Sequence, residues 1–284
     1  MSRSARMAAP SRTPGLVGTY LALGLAVLII VLPLLIMVFG SFMPAKDIVT
    51  LMPHLLPSEW TMDNYRKVSG HVPLGRLLLN SLAVTAIGTA IKVFLALTTA
   101  YALVFINVRF KGVIFALILV ALMVPPQVSM LPNYQLISSM GGVNTLWGII
   151  LPGLGTAFGT FLLRQQFLSI PASVMEAAEL DGASHLRRLF QIAAPVSLPT
   201  IATVTLVTLV NEWNDYLWPL VITNDPQNMT LPVGLAYLQS AESSAGGYGI
   251  LMAGAVLVIV PVLVVFTLLQ RNIVAGLTRG SVTG

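Results

Sequence analysis

Long apolar runs alternate with short polar stretches along the whole chain. The runs cover about residues 16–42, 77–106, 113–137, 145–167, 193–222 and 249–269. At about 1.5 Å of rise per residue, each is long enough to cross a hydrocarbon layer of about 30 Å as a helix. The runs are continuous, whereas a transmembrane barrel alternates apolar and polar residues along short strands. Lipid offers the backbone no hydrogen-bond partner, so continuous spans must be helices. The pattern therefore predicts an all-α integral membrane protein with six spans in a single domain, residues 15–284, behind a polar N-terminal tail, residues 1–14. Pro33 predicts a kink in the first run, and Pro125, Pro126 and Pro132 predict that the third breaks or leads into a re-entrant segment. The second run is rich in Ser, Thr, Gly and Ala, and the fourth carries Gly153, Gly155 and Gly159, residues that let spans approach closely. Between the first two runs, residues 43–76 form an extramembrane loop with a short helix near Asp63 to Val68. Residues 223–248 form a second such loop, and 270–284 a C-terminal tail.

One polar stretch differs from the others. Residues 171–192 carry Glu176, Glu179, Asp181, Arg187 and Arg188 between two apolar runs. Pro171 suits the start of a helix, where its missing N–H leaves nothing unpaired. Gly182 tolerates positive φ and can close that helix and turn the chain into a second. Glu176 and Glu179, three apart, share a helix face, with Met175, Ala178 and Leu180 at neighbouring positions. On these grounds alone the stretch is an elbow of two short helices, equally compatible with a solvated connection and a docking element.

Composition supports the membrane assignment. Of the 284 residues, 56% are hydrophobic and only 9% charged, against about 25% charged in soluble domains. No cysteine is present, which removes disulfides, thiolate metal ligands and thiol chemistry. The net charge of +5 comes from residues scattered between the runs and is best used to set topology. With the N-terminus inside, the inner segments hold Arg3, Arg6, Arg12, Arg109, Lys111, Arg164, Arg187, Arg188, Arg271 and Arg279. The outer segments hold only Lys46, Arg66, Lys67 and Arg76. The excess of inner basic residues predicts both termini, and the elbow, in the cytoplasm.

The fifth run ends in Asn211, Glu212, Trp213, Asn214, Asp215, Tyr216 and Trp218. Such residues suit either an interfacial aromatic belt or the wall and gate of a solute pathway, since carboxylates in a membrane face a bundle interior or water. Aromatic faces beside hydrogen-bonding side chains fit sugar-like solutes. Lys92 is the lone basic residue well inside a run; an ion pair with Glu212 or Asp215, or snorkelling, explains it more simply than a pathway charge. His54, His71 and His185 have no metal-ligand spacing, so no metal site is expected. No Gly-rich phosphate loop with its Lys occurs, so neither nucleotide hydrolysis nor any other enzyme activity is expected of this chain.

The spacing from Glu176-Ala-Ala through Gly182 and Ile192 to Pro195 resembles the EAA loop of binding-protein-dependent ABC importer permeases. The family usually has Leu before that proline, where this chain has Ala194, a change at a packing position. Asn211-Glu-Trp-Asn-Asp-Tyr-Leu-Trp-Pro219 and the ending Gln270 to Gly280 are similar to the carbohydrate-uptake branch, in particular to the second permease of maltose-type systems. Phe161 to Phe167 and Trp218 to Ile222 lean towards glycerol-3-phosphate uptake permeases.

The resemblance implies a type I importer permease fold with a cytoplasmic coupling helix between spans 4 and 5. Glu176, Ala177, Ala178, Asp181, Gly182, Ile192 and Pro195 would then dock on a cytoplasmic ATPase subunit. Thr278, Arg279 and Gly280 would lie in a tail that reaches between the ATPase subunits, where a frayed terminus is the simpler alternative. The implied partners are a homologous second permease, two ATPase subunits that bind ATP and Mg²⁺, an extracytoplasmic solute-binding protein and the lipid of a prokaryotic plasma membrane. No cofactor is expected on this chain itself. The solute would be a sugar, or a sugar-like or polyol-phosphate compound such as glycerol-3-phosphate or a glycerophosphodiester. The competing expectations are an ion-coupled secondary transporter, which would need midplane ionisable residues on broken helices in two related halves, and a non-transporting scaffold.

Overall fold

The computed structural model describes residues 13–48, 56–241 and 247–279. Expectations about the first residues of the N-terminal tail, His54 and Gly280 lie outside the described residues, as do the side chains of His71, Thr278 and Arg279. No strand occurs among the described residues. The chain forms two compact units, Met1–Lys67 with Glu242–Val256, and Val68–Ala241 with Leu257–Gly284.

The first unit is built on α1 (Thr13–Ser41), which contains Pro33 and exposes its apolar side chains from Tyr20 to Ile36. Exposed apolar faces of this kind are what lipid covers. A short α2 (Ala45–Ile48) and α3 (Asp63–His71) follow. The Asn64 amide, almost fully buried, donates to the carbonyls of Ser41 at 2.9 Å and Met43 at 2.8 Å. That is how the end of α1 is satisfied, since its last carbonyls have no partner within the helix. Phe42 packs its ring between those of Trp60 and Tyr65, at 5.7 and 5.3 Å.

The second unit is organised around α4 (Leu74–Phe105). Then come α5 (Lys111–Met123), α6 (Met130–Ser139) behind a 3-10 turn at Pro126–Ser129, α7 (Leu146–Ile150), α8 (Ala157–Leu168) and α9 (Ala172–Leu180). The chain continues through α10 (His185–Arg188), a π turn at Leu189–Ala193, α11 (Ala194–Val196), α12 (Leu198–Asn214), α13 (Leu217–Ile222) and α14 (Leu231–Ala241). The last helix, α15 (Tyr248–Arg279), holds Pro261 and runs unbroken into the stretch expected to be a tail. Helices α4, α8 and α12 pack on one another, and all three meet at Gly159. A Cβ there would lie 3.0 Å from both Ala96 Cβ and Val204 Cγ1. Around that crossing Leu97, Tyr101, Leu163, Phe167 and Leu189 form the main core. Helix α5 packs on α8 with Arg164 over the Phe115 ring, its guanidinium carbon 4.0 Å from the centroid.

Gly18–Ser41 and Leu74–Phe105 are long and apolar enough to cross a membrane, and three bent helix pairs pass the same test together. The sixth expected span falls in α15, whose described apolar part is Tyr248–Val264. Lys111–Met123 and Pro126–Ser139 are bent by 94° at the two prolines, as the sequence predicts. The fifth run, residues 193–222, is broken twice. His185–Val196 and Leu198–Asn214 are bent by 84° at Ser197, and Asp215 and Tyr216 break the run again before α13. Pro199 stands in the first turn of α12, where a missing N–H starts a helix cleanly, so it marks a beginning inside an apolar run. The fourth run is also two helices, Leu146–Gly153 and Ala157–Leu168, bent by 49°. Thr156 caps the second, accepting from Gly159 N–H at 3.3 Å.

The expected loop at 223–248 contains α14, whose Leu231, Val233 and Leu238 are buried. It is pinned to the start of α4. The Asn80 amide donates to the carbonyls of Gln227 and Met229, each at 2.9 Å, and Ser81 Oγ accepts from Leu231 N–H at 2.7 Å. Gly234 leaves the space that the Leu77 side chain fills.

Candidate functional site

The elbow folds for local reasons. Pro171 precedes α9, and Met175 and Ala178 on that helix turn inward, Met175 into the main core. At its end Gly182 adopts φ +74°. Gly182 N–H bonds to the Glu179 carbonyl at 2.9 Å, and Ala183 N–H to the Ala178 carbonyl at 3.0 Å. These paired bonds form a Schellman motif, which needs a residue at positive φ and here has glycine. Ser184 then caps α10, accepting from Arg187 N–H at 3.4 Å. Ala194 N–H reaches back to the Leu189 carbonyl, giving the π turn, and Pro195 follows with no N–H to give. Ile192 and Ala194 pack partly buried against the core, and Pro195 is exposed.

Two faces of the elbow have different roles. Arg188, nearly buried, donates to Glu179 Oε2 at 2.8 Å and sits 3.3 Å from His185 Nδ1, itself 3.4 Å from the Tyr101 hydroxyl on α4. Glu179 is thus engaged within the chain. The other face carries Glu176, Ala177, Leu180 and Asp181, all exposed, Leu180 to 89%. Glu176 has no ion pair or side-chain hydrogen bond among the described residues.

Nine residues before Tyr101 on α4, about 14 Å along the helix, Lys92 pairs with Glu212 of α12. Both side chains are largely buried, at 13% and 14% exposure. Two glycines make room for the pair. A Cβ at Gly153 would lie 3.0 Å from Lys92 Nζ, and one at Gly88 would lie 2.7 Å from Glu212 Oε2. The expected ion pair is present, and the glycines that seat it are an addition that charge and hydropathy did not single out.

This pair lies in the wall of a cleft of about 670 Å³. Asn211, Glu212, Asn214, Asp215, Tyr216 and Trp218 all line it, joined by Gln127, Ser129 and Asn133 from the bent third run. The kink at Pro125–Pro126 brings those side chains to the cleft, a consequence of backbone direction that hydropathy does not carry. Trp218 donates its indole N–H to the carbonyls of Gly148 at 3.2 Å and Ile149 at 3.0 Å, which fixes its ring in the wall. Trp213 is the exception among the seven residues singled out. It turns away from the cleft, is 4% exposed, and donates to the Val258 carbonyl of α15 at 3.1 Å.

A helical membrane chain with an exposed charged elbow and a polar cleft lined from several broken helices has the build of a transport permease. Residues 92–279 match the family described as binding-protein-dependent transport system inner membrane component, and the chain belongs to that family. It is 32% identical over 278 residues to the arabinooligosaccharides transport system permease protein AraQ of Halalkalibacterium halodurans, covering 96% of this chain and 99% of that protein. It is 35% identical over 269 residues to the sn-glycerol-3-phosphate transport system permease protein UgpE of Agrobacterium fabrum, covering 92% and 95%. Among solved structures, a bacterial ABC transporter involved in the import of the acidic polysaccharide alginate aligns with a TM-score of 0.79 at 24% identity, over 94% of this chain and 99% of that one. The fold is that of an ABC importer permease, and the chain is a transport component of the membrane.

Proposed function

We propose that this chain is one of two permease subunits in an ATP-driven importer of a sugar or a sugar-like or polyol-phosphate solute. It forms one half of the translocation pathway, with the cleft beside Lys92 and Glu212 as its polar wall. The relatives named above carry arabinooligosaccharides or sn-glycerol-3-phosphate in their descriptions, which supports that solute class. Both termini and the elbow face the cytoplasm, in line with the distribution of basic residues. The elbow docks on a separate ATPase subunit that binds ATP and Mg²⁺, two of which serve the complex, and the C-terminal residues Thr278 to Gly280 reach towards them. A second, homologous permease completes the pathway, and an extracytoplasmic binding protein delivers the solute. One related structure is of an ABC transporter in complex with an alginate-pentasaccharide-bound periplasmic protein.

The observation that carries this reading is the elbow. Its inward face is fastened to α4 through Arg188, His185 and Tyr101, while the side chains of Glu176, Leu180 and Asp181 on the outward face are exposed and make no ion pair or hydrogen bond among the described residues. A rigid, tethered lever with a free charged face is what docking to a moving subunit requires. The test is to purify the chain with its co-expressed neighbours and reconstitute it. Stoichiometric ATPase subunits and uptake that depends on ATP are expected. Uptake driven by an ion gradient without ATP would replace this reading with a secondary transporter.

A further inference from the structure

The charges around the cleft do not balance. Among the described residues lining it, Lys92 is the sole cation, and Glu212 and Asp215 are the acids. Lys92 is committed to Glu212, and the pair is seated between Gly153 and Gly88, positions where even a methyl group would crowd the ammonium and the carboxylate. Turning Lys92 towards a solute would strand a largely buried carboxylate, which is costly. Asp215 follows at the end of α12 and has no ion pair among the described residues. The cleft thus presents one uncompensated negative charge. Its other polar side chains are neutral, among them the amides of Gln127, Asn133, Asn211 and Asn214 and the phenol of Tyr216, beside the fixed ring of Trp218.

A solute carrying phosphate or carboxylate would find no unengaged cation here and would meet Asp215 at close range. An uncharged, hydroxyl-rich solute would find donors and acceptors of both kinds and an aromatic face. We infer that Asp215 is a specificity-determining residue, a charge filter that makes this half of the pathway suited to uncharged polyhydroxy solutes and unfavourable to anionic ones. The inference rests on the proposed role of the cleft in translocation. It separates the two solute chemistries that sequence similarity leaves side by side.

The absence of cysteine provides the test. Asn133→Cys, in the complete importer with its other subunits freed of cysteine, is reacted with cationic trimethylammonium-ethyl and anionic sulfonato-ethyl methanethiosulfonate. The two rates are compared after division by those with free cysteine. The cation is expected to be favoured about tenfold, the order expected of one uncompensated charge within the same cleft. Asp215→Asn should abolish the preference, and Asp215→Glu should keep it. An anion reacting as fast as the cation in the Asp215 background would overturn the filter without need of the second variant, as would a preference untouched by Asp215→Asn. ATP-driven uptake before and after labelling reads the pathway role separately. Labelling without loss of uptake would remove the cleft from the pathway, whatever the charge ratio.

Discussion

Lys92 and Glu212 depend on each other more than on anything else nearby. Removing one member of a buried ion pair leaves the other without compensation and costs about 3 kcal/mol, while replacing both by apolar residues can be nearly neutral. Lys92→Met alone should therefore lower the thermal stability of the purified complex markedly. Lys92→Met with Glu212→Leu should recover most of it, a recovery that a double-mutant cycle on melting temperature would read. A second test at this scale concerns Gly182. Nothing lies within 4 Å of a Cβ built there, so the demand on that position is its φ of +74° and not space. Asn, which tolerates that conformation, should preserve uptake. Val, strained by at least 1–2 kcal/mol there, roughly the cost for L residues in the left-handed region, should lose it. The turn at Gly182 is readable in the sequence because a helix pattern ends there on glycine. The pairing of Lys92 is readable because a lone cation in an apolar run needs a carboxylate. Gly88 and Gly153 are not readable as its cradle, since only the crossing of separate helices brings them to the pair.

Helix α4 joins three separate features. Asn80 and Ser81 near its start hold the segment before α14, Lys92 holds the cleft pair, and Tyr101 near its end meets the elbow. If the elbow drives the spans, the link of Arg188 and His185 to Tyr101 is the contact through which α4 feels it. Arg188→Ala removes a nearly buried charge and its bonds to Glu179 and His185, and should leave ATP hydrolysis by the assembled complex high while uptake falls. Glu179→Gln should change little, because Glu179 is 68% exposed and an exposed partner contributes weakly. Both are checked by measuring ATP consumed per solute imported. Most elements follow from the apolar runs, but the breaks do so unevenly. Pro125–Pro126 declares its bend. Pro199 does not, because it starts a helix inside a run of unchanged hydropathy, and hydropathy has no term for backbone direction. Likewise α14 is short, and its burial depends on Leu77, Asn80 and Ser81, so its sequence alone reads as a loop.

In the whole chain the two candidate sites lie on one helical frame, with the elbow at one end of α4 and the cleft partway along it. The family is legible in the spacing from Glu176 to Pro195, and the match over residues 92–279 agrees with it. The elbow's division of labour is not legible there, because Glu176 and Glu179 share a helix and differ only in what Arg188 can reach. The central claim is that the outward face of the elbow passes ATP-driven motion to the spans. It is tested most directly by the Glu176→Arg variant in the reconstituted importer, with membrane insertion and ATP-driven uptake measured on the same preparation. The account predicts normal insertion with uptake lost, because the reversed charge disrupts docking while touching no bond inside the chain. Normal insertion with undiminished uptake would contradict it.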